Sequence, residues 1–153
     1  MAITASGLFF PAFRDQWDST ALGIDLLATD MKGALLNNSA TPVFATDTAW
    51  NVGGLTNTNE VSGTGWAAGG VALAGTSIAD SPTGTFMFDG TDVSETTTTL
   101  TNAEAYVLYD DTNATVADAA ICLVDFTTAY STVAGTFTIT WDSLGIFTID
   151  LTP

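Results

Sequence analysis

The chain has 153 residues, of which 12% are charged, and 17 acidic side chains against two basic ones give a formal net charge of −15. So acidic a protein is repelled by phosphate backbones and by anionic lipid surfaces, which argues against direct binding of nucleic acids or membranes. Histidine is absent and Cys122 is the only cysteine. This composition excludes histidine acid–base catalysis, imidazole metal sites, an intrachain disulfide and a cysteine zinc site.

Residues 1–20 carry several large apolar side chains ahead of any clear strand. Phe9, Phe13 and Trp17 recur at helical spacing, and Pro11 is tolerated in the first turn of a helix. We therefore predict a short N-terminal helix or arm, whose apolar side chains either cover one end of the domain or dock on a neighbouring subunit. The segment lacks the basic region of a signal peptide. The candidate partner-binding side chains are Leu8, Phe9, Phe10, Phe13 and Trp17.

The middle of the chain is organised around a glycine-rich stretch. A strand is predicted at about residues 31–36, followed by turns and a polar connection. Residues 60–75 then place several glycines around Trp66, which predicts a shaped loop with positive φ at one or more glycines of residues 63–70. Trp66 either packs against its own sheet or stacks on a ligand, and it is therefore also a candidate partner-binding residue.

From residue 70 onward, short apolar segments alternate with turn residues. In residues 135–141, Phe137, Ile139 and Trp141 alternate with threonines, so we predict that these three side chains lie in the core. Residues 119–126 are almost continuously apolar, as is typical of a central strand. The pattern predicts one mainly β domain over residues 21–153, an antiparallel β-sandwich or barrel of the jelly-roll or immunoglobulin-like kind. The predicted strands cover residues 71–78, 85–89, 97–100, 103–109, 119–126, 135–141 and 146–151.

No motif for catalysis, phosphate binding or cofactor binding occurs in the sequence. Two acidic turns, at residues 89–92 and 110–113, are either ordinary turns or calcium sites, but their spacing matches no known calcium loop. Carboxylates are plentiful enough that a carboxylate-dependent hydrolase stays open as a hypothesis. We expect no catalytic residues, no metal and no cofactor, and Cys122 lies in an apolar run that predicts a buried, inert thiol.

Over about residues 22–151 the chain resembles a family of small structural proteins encoded by tailed bacteriophages. Its most specific feature is the signature Asn59-Glu-Val-Ser-Gly-Thr-Gly-Trp66 with Gly69-Gly70 behind it. Two features depart from that family: basic residues are almost absent, and residues 1–20 match nothing in it. The other matching positions are Ile24-Asp25, Asp30, Ala34-Leu-Leu36, Pro42, Trp50, Gly54-Leu55, Asp89, Asp92-Val93, Ala105-Tyr-Val-Leu-Tyr-Asp110, Val124-Asp-Phe126, Gly135-x-Phe-x-Ile-x-Trp141 and Gly145-Ile146.

The resemblance implies a virion structural protein without enzymatic activity. It would be made in the cytoplasm of the bacterial host and carried on the particle, with a capsid decoration or cement protein on the capsid exterior as the first expectation. The implied partners are other virion proteins, above all the major capsid protein, and copies of the chain itself, with a trimer as one arrangement. The alternative is a tail or fibre-associated protein that contacts host-surface glycans through an exposed Trp66, because fold alone does not decide between locations.

Overall fold

The computed structural model describes residues 3–18, 21–81 and 84–151. Most of its regular structure is antiparallel β, which confirms the predicted mainly β fold. The one α-helix, α1 (Phe10–Trp17), has Pro11 in its first turn, as predicted, and two short 3₁₀ helices span Gly53–Leu55 and Asn57–Asn59. The strands are β1 (Gly7–Leu8), β2 (Met31–Leu36), β3 (Glu60–Val61), β4 (Val71–Ala72), β5 (Ser77–Ser81), β6 (Thr85–Asp89), β7 (Val93–Asp110), β8 (Ala119–Ile139) and β9 (Phe147–Asp150).

The strands form two separate sheets. The larger sheet has the order β1-β8-β7-β2-β3, with β4 also pairing with β2, and the smaller sheet has the order β5-β6-β9. The described strands do not close into a barrel, so the barrel alternative is wrong, whereas a two-sheet arrangement agrees with the sandwich alternative.

The long hairpin of β7 and β8 dominates the larger sheet. The sequence predicts breaks near residues 101–102 and 127–134, but the structure carries each strand through them with several register shifts. Thr97, Asn102, Thr127 and Ala134 adopt positive φ at these irregularities. The bulges absorb extra residues without ending the pairing, since a bulge bends and twists a strand while leaving its ladder intact on either side.

The larger sheet is covered on both faces where β2, β7 and β8 lie side by side. Tyr106 and Leu108 face one hydrophobic cluster, which also holds Trp66 and the smaller sheet's Phe88. The intervening residues of β7 face a second cluster, which is closed by the N-terminal segment and by residues 40–55. This explains the nearly continuous apolar runs of these strands, because a strand buried on both faces needs apolar residues at every position.

The predicted single strand over residues 71–78 is wrong. It is divided into β4, which joins the larger sheet, and β5, which belongs to the smaller one. Gly75 lies between them with φ of +63°, so the chain turns there and changes sheet. The predicted strands at residues 31–36 and 85–89 are confirmed with the same bounds. In the predicted turn after residue 80, residues 82 and 83 lie outside the described part of the chain.

Candidate partner-binding groove

The N-terminal segment is built into the body of the protein as far as residue 10. Gly7 and Leu8 pair with Leu123 and Cys122 in β8. The Phe9 side chain is fully buried in the second cluster, and its N–H donates to the Ile121 carbonyl at 2.9 Å. Of the candidate residues, Leu8 and Phe9 therefore serve the protein's own packing, and the alternative in which this segment covers one end of the domain describes them.

The aromatic side chains of α1 point in different directions. Phe13 is half-buried and meets the Phe147 ring edge-to-face at 6.1 Å. Trp17 is 90% exposed and Phe10 is 55% exposed. The spacing of four residues explains the spread, because each step of four overshoots one helical turn by about 40°, so Phe9, Phe13 and Trp17 drift from core to solvent.

Between α1 and the smaller sheet lies an apolar groove with a volume of about 440 Å³. Most of its lining residues come from α1, from residues 24–26, and from β5, β6 and β9 of the smaller sheet. The groove is lined by apolar side chains from across the sequence, among them Phe13, Trp17, Ile24, Ile78, Phe86 and Ile149. Trp17 is among the lining residues and is exposed to solvent.

Gln16 holds the wall of this groove in place. Its side-chain oxygen accepts hydrogen bonds from the N–H groups of Gly23 at 2.7 Å and Ile24 at 3.1 Å. Its side-chain nitrogen donates to the Ile24 carbonyl at 3.1 Å. The helix and the segment that follows it are thereby tied together, so the groove is preformed, as small-ligand and side-chain pockets usually are.

The surroundings of the groove are acidic. Asp25 contributes to its lining, and Asp80 lies on the same face of β5 as the lining residue Ile78. The two basic side chains of the chain are both paired internally: Arg14 with Asp15 at 2.5 Å, and Lys32 with Asp111 at 2.8 Å. Carboxylates therefore dominate the charge around the groove.

Trp66 is fully buried, so the alternative in which it packs against its own sheet describes it, and its assignment as a candidate partner-binding residue is wrong. Its ring meets Phe137 edge-to-face at 5.6 Å inside the first cluster. The glycine loop folds back over the edge of the sheet: Gly63 and Trp66 exchange backbone hydrogen bonds, and Thr99 donates to the Thr64 carbonyl. The loop therefore inserts the indole as a plug, and Trp66 offers no surface to a glycan.

The acidic turns use their carboxylates to stabilise the backbone. One Asp110 oxygen accepts the Thr112 N–H at 3.3 Å and the other accepts the Asn113 amide at 3.0 Å. Asp89 accepts the Gly90 N–H at 2.8 Å and Asp92 accepts the Trp141 N–H at 3.0 Å. Within residues 3–18, 21–81 and 84–151, no group of three or more His, Cys, Asp or Glu side chains is placed to hold a metal ion.

Cys122 is buried at 3% exposure, and burial raises the pKa of its thiol to about 12. Of the helices in the described ranges, none combines the length and the apolar character that crossing a bilayer requires.

The groove brings together residues that the sequence did not single out as site residues. Phe13 and Trp17 were candidates, but Ile24, Ile78 and Phe86 were not. The only signal was the alternation in residues 146–151, which places Ile149 and Leu151 on one face of their strand without showing what they face. Comparison of the chain with protein-family models, with curated proteins and with solved structures finds no match.

Proposed function

We propose that this protein works by association, as a structural component of a tailed-bacteriophage particle. In this proposal it is a capsid decoration or cement protein on the particle exterior, bound to the shell of major capsid protein, and it performs no catalysis. The family resemblance set out above supports the phage assignment. The inference that the protein works by association rests on the apolar groove beside α1, where Trp17 is 90% exposed.

The groove suits an apolar side chain better than a polar ligand. Its lining consists mostly of aromatic and branched aliphatic side chains, with Gln16 and Asp25 as the polar members. Burying one large apolar side chain contributes roughly 1.5–3 kcal/mol. Trp17 would add contact area of its own, and tryptophan is among the residues that dominate interface energetics. A leucine or phenylalanine side chain of the partner is the ligand that fits this chemistry.

The charge around the groove further restricts which kind of partner surface fits it. Asp25 and Asp80 stand beside the groove, and the whole chain carries −15. An apolar anchor flanked by lysine or arginine would gain from this field, and long-range attraction would speed its encounter with the protein. We therefore propose that the shell presents an apolar residue with basic neighbours.

Binding to purified particles tests the proposal. The Trp17→Ser variant removes the exposed indole, and we expect at least a tenfold weaker binding to particles that lack the protein, which is about 1.4 kcal/mol. Val52→Ser is the control, because Val52 is another exposed apolar side chain, at 52%, that does not line the groove. Equal binding of Trp17→Ser and the unmodified protein would contradict the groove as the contact.

Copy number separates the capsid from the alternative location. A decoration protein covers the shell and should be present in hundreds of copies, whereas a tail or fibre component would number tens or fewer. An electron-microscopy map of the particle, together with gel densitometry, gives this count. Density at the tail or fibre alone would contradict the decoration role. It would not decide whether the groove is the contact, which the Trp17→Ser variant tests.

A further inference from the structure

Strand β8 has a strand partner on both sides for only part of its length. Around Cys122 and Leu123 it lies between β1 and β7. Beyond residue 125, β7 is the only strand that pairs with it in the described part of the chain. The other edge of β8 is therefore open, and an open edge presents backbone N–H and C=O groups to any strand that can pair with them.

The open edge lines a groove of its own, with a volume of about 550 Å³. Five consecutive residues, 136–140, contribute to it, although their side chains alternate between the two faces of the sheet. A run of consecutive lining residues indicates that the edge of the strand, and so its main chain, faces the groove. Phe126 and Tyr130 also line the groove, where their rings meet edge-to-face at 6.1 Å and the Phe126 ring lies 6.3 Å from that of Phe137.

This edge lacks the features that proteins use to block strand pairing. Residues 126–141 contain no charged side chain and no proline, in a chain of net charge −15. The bulges of β8 lie before Phe137, while the pairing of Phe137, Thr138 and Ile139 with β7 is in regular register. Residues 137–139 are thus a regularly paired, neutral part of the strand edge, with a neutral threonine on either side, and a further strand can extend it.

We propose that residues 136–140 pair, antiparallel, with the same residues of a second copy of this chain. The segment Thr-Phe-Thr-Ile-Thr is complementary to itself about Thr138. In that register Thr138 lies opposite Thr138, Thr136 opposite Thr140, and Phe137 opposite Ile139. Threonine–threonine pairs and aromatic–β-branched pairs are both among the cross-strand pairs that stabilise sheets.

Charge favours a second copy at this edge over other modes of self-association. Two chains of −15 repel each other, and contacts between surfaces that carry carboxylates would add to this repulsion. At the β8 edge only neutral residues meet, with the exposed threonines on the outer face and the buried Phe137 and Ile139 on the inner face. Because the contact is the same patch on both copies, it closes at two subunits and differs from the threefold arrangement expected from the family resemblance.

A pair of lysine variants tests this dimer. Thr138→Lys sets two lysines directly opposite each other, about 4.7–4.9 Å apart in the strand-pairing direction. Ser94→Lys puts the same charge on the same face but one strand further in, so that the two lysines are separated by three strand spacings, roughly 14 Å. That separation exceeds the Debye length of about 8 Å at physiological ionic strength. Both variants lose the hydrogen bond between the Ser94 and Thr138 hydroxyl groups, which is 3.0 Å long. The two variants therefore differ in how far the new lysine lies from the open edge.

Sedimentation velocity over a range of protein concentrations provides the measurement. We expect a reversible dimer for the unmodified protein and for Ser94→Lys, and a dissociation constant at least tenfold higher for Thr138→Lys. A monomer at every concentration, a trimer, a dimer unaffected by Thr138→Lys, or equal loss in both variants would each overturn the proposal.

Hydrogen exchange on the unmodified protein gives a second test that does not depend on the folding of a variant. Amides within residues 136–140 should exchange more slowly in concentrated than in dilute solution, because pairing protects them, while amides of β9 should be unchanged. Exchange in residues 136–140 that does not depend on concentration would overturn the proposal. Neither measurement involves phage particles, so the outcome is independent of the proposed function.

Discussion

Adding one methyl group at Gly69 or at Gly70 tests how closely the glycine loop approaches the backbone of β2. Both adopt positive φ, +82° and +80°. A methyl group at Gly70 would lie 2.0 Å from the carbonyl oxygen of Gly33 in β2, whereas at Gly69 the nearest atom would be the Tyr109 hydroxyl oxygen at 3.8 Å. Gly33 is itself closely packed, since a methyl group at that position would lie 1.8 Å from the Tyr106 ring.

We therefore expect Gly69→Ala to cost about 1–2 kcal/mol, the strain of a left-handed alanine. Gly70→Ala should cost the same strain plus roughly 1–3 kcal/mol for the overpacking that separates the loop from β2. Each kcal/mol corresponds to about 2–4 °C in the melting temperature for a chain of this size. Urea unfolding and calorimetry of the two variants measure the difference. Equal losses of stability would show that backbone strain alone, and not the contact with β2, requires glycine at position 70.

Three further predictions follow from burial and charge. Trp66→Ala should lower the free energy of unfolding by about 3–5 kcal/mol and Trp17→Ala by less than about 0.5 kcal/mol, and similar urea midpoints would contradict the burial of the Trp66 indole. Cys122 should resist a thiol reagent such as Ellman's in the folded protein at neutral pH and react fully in denaturant. Burial raises the pKa of Glu60 above its ordinary 4.5, although the Gly69 N–H partly opposes this. Between the two pKa values the folded state binds more protons, so the free energy of unfolding should rise as pH falls through that window, and less so in Glu60→Gln.

The sequence predicted those elements whose boundaries are marked by local chemistry. β2 and β6 lie between turn residues and were placed with their observed bounds. The helix at Phe10–Trp17 followed from its apolar spacing and from the tolerance of proline in a first turn. Positive φ in the glycine loop also followed from composition, and Gly65, Gly69 and Gly70 show it.

The wrong or undecided predictions concern features that depend on tertiary contacts. The stretch of β8 over residues 127–134 looked like a connection, but hydrogen bonds to β7 keep it in the sheet through several bulges. The sequence left two alternatives for Trp66, packing against its own sheet or stacking on a ligand, because only the folded loop shows which hydrophobic cluster the indole enters. The groove beside α1 combines side chains as far apart in sequence as Phe13 and Ile149, and no local pattern shows that such residues share a surface.

The two proposed contact surfaces should respond to salt in opposite directions. At the β8 edge the attraction is between main-chain groups of neutral residues, and the opposing force is the repulsion between two bodies of −15. Raising the ionic strength screens that repulsion, so the dimer should become tighter. At the groove the acidic surroundings attract a basic partner, and the same screening should weaken particle binding and slow its association. As sodium chloride is raised from low to physiological concentration, we expect the dissociation constant of the dimer to fall and that of particle binding to rise. A dimer that weakens with salt would show that ion pairs hold it, which the uncharged residues 126–141 cannot supply, and particle binding that strengthens with salt would show that the shell presents an acidic or purely apolar surface to Trp17.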